Sequence, residues 1–147
     1  MSRTTAIATV LVMSVGVLAV LAYARTEAQD VRGPFVGSYA ATLSRAQASA
    51  RGDSRLAGRF TLVLGRDGTY SVSNPLDGRM NGQLTALGDD RLRFSNDSGC
   101  TSGGFERPEG GTYRWSLNGE RLTLRLLSEG PCTGRTDTLT FPIWIRR

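Results

Sequence analysis

The sequence contains neither histidine nor lysine, so all 18 of its basic residues are arginine. Histidine is the usual general base near neutral pH and the commonest metal ligand. Without histidine or lysine, the serines have no evident activating base, and we expect no catalytic residue. The neighbouring acids Asp89 and Asp90 follow Gly88, which indicates a solvated turn rather than a catalytic or metal-binding carboxylate pair. We therefore expect a protein that is not an enzyme and that holds no metal or cofactor.

Charged residues are scarce in the first 24 positions, where Arg3 precedes an apolar stretch over residues 6–21. Ala22-Tyr23-Ala24 then shows the small-x-small pattern that signal peptidase accepts. This predicts export to a secreted or cell-envelope location. The apolar stretch also suits an uncleaved single-pass anchor that leaves the remaining chain outside. The sequence thus divides into a signal or anchor over residues 1–24, a linker over 25–34 and one domain over 35–147.

Cysteine is limited to two residues, Cys100 and Cys132. Two sulfurs alone do not make a zinc site, and a catalytic thiol would lack the partners that it needs. An exported protein meets an oxidising environment in which thiols pair. We predict a disulfide between Cys100 and Cys132, which tie two loops at the same end of the fold. In the chain-entropy model it stabilises the protein by about 3 to 4 kcal/mol.

Acidic residues number 13 against 18 arginines, which gives a net charge of +5 and a pI near 10. An excess of positive charge of this size is typical of proteins that bind nucleic acid or an anionic surface. The arginines are dispersed singly along the sequence beside acids rather than clustered, so we do not expect nucleic acid as a partner. Contact with a membrane is expected only through the N-terminal segment, if it stays uncleaved.

Apolar residues alternate with polar ones through most of the chain after residue 35. Phe60, Leu62 and Leu64 share one face of a strand, and Arg59 and Thr61 occupy the other. This period of two, with one solvent-exposed face on each strand, is typical of an antiparallel sheet. We predict an all-β fold, an eight-stranded antiparallel up-and-down barrel. Its first strand is expected at residues 35–43 and its last at 136–145, and Asn118-Gly119 is expected to form a type I′ hairpin turn.

Connections between the predicted strands alternate between short and long. Alternate connections of a meander fall at opposite ends of the sheet, so all long loops should ring one mouth of the barrel. Residues 44–57 form either a short helix that lies over this mouth or a disordered polar loop. The short connections are 66–68, 88–90 and 118–119, and the long ones are 44–57, 74–78, 97–110 and 129–135.

Gly37-Ser38-Tyr39 stands in the first strand where lipocalins carry a Gly-x-Trp motif. The loop at 44–57 corresponds to the large first loop that caps a lipocalin barrel, and Arg146 to the arginine that packs on the first-strand aromatic, here Tyr39. On these residues the chain resembles the lipocalin-like, or calycin, barrels. The resemblance implies a small exported bacterial barrel that binds a ligand at its open end.

The predicted inward positions are rich in aromatic residues, which either fill the barrel or line a cavity. If a cavity exists, the tyrosines, which combine an apolar ring with a polar hydroxyl, suit a small hydrophobic or amphipathic molecule. The alternative function is a protein-binding module, such as an exported protease inhibitor that acts through its N-terminal arm at 25–34 or the loop at 100–109. The candidate ligand-binding residues are Tyr39, Phe60, Tyr70, Phe94, Tyr113 and Trp115.

Overall fold

The computed structural model describes residues 30–76, 78–98, 101–102, 105–106, 110–130 and 132–147. Within them, eight antiparallel strands close into an up-and-down barrel, and a two-stranded hairpin is inserted between the fifth and sixth barrel strands. The predicted fold class is confirmed. The strands are β1 Gly37–Leu43, β2 Gly58–Leu64, β3 Thr69–Ser73, β4 Arg79–Ala86, β5 Arg91–Ser95, β6 Thr101–Ser102, β7 Phe105–Glu106, β8 Gly111–Asn118, β9 Arg121–Ser128 and β10 Trp144–Arg146.

Alternation along each strand decides which side chains enter the barrel. On β2, Phe60, Leu62 and Leu64 are at most 1% exposed, whereas Arg59 and Val63 face solvent. Successive side chains of a strand point to opposite faces, so an alternating sequence buries one complete face. The core is therefore the barrel interior.

Three tight turns lie at one end of the barrel and the four longer connections lie at the other, as predicted. The β8–β9 turn differs in register from the expectation. Asn118 pairs with Arg121, so the two-residue loop is Gly119-Glu120, and Gly119 has φ 60°. A glycine at the first central position suits a type II′ turn, which needs a positive φ only there.

Residues 44–57 contain a short helix, which confirms the first of the two predicted alternatives for this loop. Helix α1, Arg45–Ala50, begins with a capping box in which the Ser44 hydroxyl accepts from the Gln47 amide and the Gln47 side chain accepts from the Ser44 amide. Ala48 is fully buried against the barrel end. A 3-10 turn at Ser54–Leu56 follows and brings the chain into β2.

The strand predicted at residues 136–145 is wrong over most of its length. Helix α2, Thr133–Thr140, occupies the first part, and only β10 is extended. Arg135 and Leu139 lie four residues apart and are both fully buried, which is the spacing of one helix face. Pro142 follows the C-cap residue Phe141, where a helix ends.

The N-terminal arm and the last strand close the end of the barrel that carries the tight turns. Val31 and Phe35 are buried, the Val31 amide donates to the Arg66 carbonyl, and the first strand begins at Gly37 rather than at residue 35. Tyr39 pairs with Arg146 across the β1–β10 seam. The Arg146 guanidinium lies 5.4 Å from the centre of the Tyr39 ring and donates to its hydroxyl at 2.8 Å, which confirms the predicted contact.

Candidate functional site

The six candidate ligand-binding residues fall into separate groups inside the barrel. Tyr70, Phe94 and Tyr113 stack edge to face near the long-loop end, with ring centres 4.8 and 5.3 Å apart. Tyr39 and Trp115 lie toward the tight-turn end, where the Trp115 ring contacts Phe35.

The sixth candidate, Phe60, packs on Trp144 of β10 at 6.3 Å between ring centres. Trp115 is half-buried, and the other five candidates are at most 2% exposed. A ligand-binding role for the six stays a prediction.

A buried arginine occupies the interior beneath the long loops. Arg135 projects from α2 and is fully buried. Its guanidinium forms ion pairs with Asp97 and Glu129. Asp97 lies two residues after the end of β5, and Glu129 directly follows β9. We call Arg135, Asp97, Glu129, Tyr70, Tyr113 and Thr136 the Arg135 cluster.

Hydroxyl groups complete the coordination of the two carboxylates. Tyr70 donates to Asp97, and Tyr113 donates to Glu129. Thr136, the residue after Arg135 on α2, donates to Glu129 at 2.6 Å. The hydroxyls of Tyr70 and Tyr113 are therefore engaged by the protein's own carboxylates, and that of Tyr39 donates to the Phe35 carbonyl.

Two glycines make room for these carboxylates. A Cβ on Gly82 would lie 2.5 Å from the Ser95 carbonyl oxygen and 2.7 Å from the Asp97 Oδ1 atom. A Cβ on Gly111 would lie 2.7 Å from both Glu129 carboxylate oxygens. These approaches are closer than a real Cβ tolerates, so the cluster requires glycine at both positions.

Burial and hydrogen bonding move the pKa values of the two carboxylates in opposite directions. Burial raises the pKa of Asp97, and the hydrogen bond from Tyr70 and the charge of Arg135 only partly offset it. Burial also disfavours the charged form of Glu129, but hydrogen bonds from Arg135, Thr136 and Tyr113 outweigh it and lower its pKa. Burial raises the pKa of both tyrosines, so their hydroxyls stay protonated donors. The cluster is built to hold one guanidinium between two carboxylates.

Sequence reasoning placed the three charged residues of the cluster only at the bounds of long loops. Asp97 and Glu129 each come soon after an alternating strand at the same barrel end, and Arg135 lies in the last long loop. The available signal is two carboxylates at one mouth and an arginine in the long loop that starts at Glu129. The strand predicted at residues 136–145 conceals it, because Arg135 then ends a loop instead of lying on a helix.

Other expected features lie partly outside the described residues. Cys132 immediately precedes α2, but Cys100 and the segment 1–24 are outside, so the disulfide and the signal or anchor stay predictions. In the part of the chain that is described, no group of three or more His, Cys, Asp or Glu side chains is placed to hold a metal ion. The helices of the same part are too short or too polar to cross a bilayer.

The chain was compared with protein-family models, curated proteins and solved structures. None of the three comparisons finds a match.

Proposed function

We propose that this chain is an exported, non-enzymatic binding protein with a lipocalin-like barrel, and that it binds a partner protein through its long-loop end. The closed eight-stranded barrel, the capping first loop and the Arg146–Tyr39 contact support the lipocalin-like assignment. The partner class to test first is an endopeptidase, because small barrels suit rigid inhibitory loops.

The observation that carries the proposal is the position of Arg135. Its guanidinium fills the space beneath the long loops and is enclosed by Asp97, Glu129 and two tyrosines. A barrel filled in this way offers its loops rather than its interior to a partner.

The β5–β8 connection is the loop that we propose for contact. It starts from Asp97, which Arg135 and Tyr70 hold in the core, and the Ser98 amide donates to the Asn81 carbonyl. It then forms the β6–β7 hairpin. A hairpin that leaves a rigid base binds with a smaller ordering cost than a free segment does.

Inhibition of a panel of serine and cysteine endopeptidases by the oxidised full chain tests the proposal. We expect stoichiometric inhibition of one class, and loss of it when residues 101–109 are replaced by a Gly/Ser segment of equal length. The control variant Asp89→Ser/Glu120→Ser changes the opposite end and should inhibit normally. Inhibition by no class, or equal loss in both variants, would count against a loop-mediated inhibitor.

A small amphipathic ligand in the mouth is the second candidate. It is supported by the convergence of two carboxylates and two tyrosine hydroxyls on one cation, since a ligand with a cationic head would meet the same partners if α2 moved. Native mass spectrometry of the exported protein, followed by organic extraction, tests it. A stoichiometric molecule released on denaturation would favour the ligand, and a bare chain would favour the protein partner.

A further inference from the structure

Strand pairing brings three arginines into one row on the outer wall of the barrel. Arg91 on β5 lies opposite Arg114 on β8, and Arg114 lies opposite Arg125 on β9. All three side chains are exposed. Adjacent strands are about 5 Å apart, so the three cations span a band about 10 Å wide. We call Arg91, Arg114 and Arg125 the arginine row.

Little negative charge opposes the arginine row. Asp90 lies 2.8 Å from Arg114 and 4.0 Å from Arg91. Among the described residues, Arg125 and the nearby exposed Arg93 have no carboxylate within ion-pair distance. The eight barrel strands contain no aspartate or glutamate. Like charges directly opposite each other destabilise a sheet, so the row does not stabilise the barrel itself.

An exposed leucine lies beside the arginine row. Leu127 follows Arg125 by two residues on β9 and is 41% exposed. The pairing of β8 with β9 shifts register here, at Thr112/Tyr113, and leaves Leu127 without a strand partner. Leu126 pairs with the buried Tyr113 and so shares the inner face, but the β-bulge at Leu127 adds an exposed apolar side chain next to the cations.

We propose that the β5–β8–β9 wall docks on the surface of a bilayer that contains anionic phospholipid. The arginine row faces the headgroup phosphates, and Leu127 enters the interface between headgroups and acyl chains. Arginine near an anionic leaflet is attracted by the surface potential, and its planar guanidinium binds phosphate through two hydrogen bonds. A soluble polyanion such as nucleic acid would use the arginines but leave Leu127 without a role. The arginine row lies on the outer wall and not in the loop proposed for the partner protein, so the inference goes beyond the proposed function.

Quenching by brominated lipid identifies which face touches the bilayer. The full chain carries a new tryptophan in the variant Leu127→Trp and, as matched control, in Val63→Trp. Val63 is 44% exposed and lies on β2, diametrically across the ring of eight strands from β8. Fluorescence of the parent chain is subtracted to remove Trp115 and Trp144. We expect quenching at position 127 and not at 63, in vesicles of phosphatidylglycerol with phosphatidylcholine but not in phosphatidylcholine alone.

Charge removal tests the arginine row in the same assay. Arg91→Gln/Arg114→Gln/Arg125→Gln should weaken docking about a hundredfold, at about fivefold for each arginine, and abolish the quenching at position 127. Arg45→Gln/Arg59→Gln/Arg66→Gln removes the same charge from other exposed positions and should leave it intact. Thermal unfolding monitors the fold of both variants.

Three outcomes would overturn the inference. They are equal quenching at positions 127 and 63, quenching at 127 that persists in the arginine-row variant, and the absence of quenching at 127 in anionic vesicles. Absence of quenching together with row-dependent binding of inorganic polyphosphate or single-stranded DNA would assign the wall to a soluble polyanion instead.

Discussion

Arg135 is a fully buried cation. Two carboxylates, and not solvent, balance its charge. Removing a charge from water costs several kcal/mol, and only close pairing with complete hydrogen bonding offsets this. Asp97 and Glu129 supply the pairing, and Tyr70 and Tyr113 satisfy further carboxylate oxygens. The balance is therefore sensitive to the loss of any one partner.

Arg135→Met tests this balance. The variant leaves Asp97 and Glu129 buried without their counter-ion, so we expect unfolding to become about 3 to 5 kcal/mol easier, as measured by urea titration. Arg45→Met, at an exposed position on α1, should change stability by less than about 0.5 kcal/mol. The triple variant Arg135→Met/Asp97→Asn/Glu129→Gln should regain most of the loss. A neutral result for Arg135→Met alone would contradict the assigned role.

Acid stability depends on the opposite pKa shifts of the two carboxylates. Because the pKa of Glu129 is lowered in the folded state, its contribution is present above its ordinary pKa near 4.5 and is lost as the pH falls below that value. The pKa of Asp97 is raised, so the folded state takes up that proton first and gains stability as the pH falls toward 3.8. Unfolding free energies measured from pH 6 to 3 should thus fall less steeply in Glu129→Gln, and more steeply in Asp97→Asn, than in the parent. Parallel profiles would contradict both shifts.

Gly82→Ala should be destabilising although it adds only one methyl group. The added Cβ would collide with the Ser95 carbonyl and the Asp97 carboxylate, and overpacking of this kind costs about 1 to 3 kcal/mol. Gly134→Ala on α2 is the control, since a Cβ there meets nothing within 4 Å. It should stabilise the protein by about 0.5 to 1 kcal/mol, because alanine favours a helix over glycine. Thermal unfolding of the pair distinguishes crowding from a general effect of removing glycine.

Elements of the fold were predictable wherever one periodicity dominated. β2 alternates cleanly, and so does β9 from Arg121 to Arg125, so their inward faces follow from the sequence there. The segment at 133–140 has threonines that mimic a strand, and its helix is fixed by tertiary contacts of Arg135 and Leu139 that no local pattern shows. The arginine row was missed for a related reason, since its members are distant in sequence and meet only through strand register.

Strand length predicts where the barrel opens first. β8 and β9 pair over eight residues each, whereas β1 and β10 pair at only Tyr39–Arg146 and Ala40–Ile145. In hydrogen exchange followed by NMR, the amides of Arg146 and Arg147 should exchange before those in the middle of β8 and β9. Equal protection at both places would show that the seam is held as strongly as the long hairpin.

The whole molecule carries its longest connections at one end, where the predicted Cys100–Cys132 bridge would tie two of them. Oxidised protein should be two hydrogens lighter than reduced protein by mass spectrometry. Cys100→Ser/Cys132→Ser should lower the unfolding free energy by about 3 to 4 kcal/mol, because the unfolded chain regains the freedom of a loop of about 30 residues. Equal stability of the oxidised parent and the double variant would contradict a stabilising bridge.

Arginine is the sole charged residue type in the eight barrel strands, so the charge that these strands carry does not change when the surroundings are acidified. Arginine stays protonated at any pH that the protein survives, and the eight strands contain no carboxylate, histidine or lysine whose titration would alter their charge. Acidification therefore leaves the charge of the strand residues themselves unchanged, and the carboxylate paired with them, Asp90, lies outside the strands. Dissolved salt does weaken the field of the strand arginines, because counter-ions screen exposed charges over about 10 Å at 0.1 M. Ionic strength thus acts on the strand arginines directly, and acid does not.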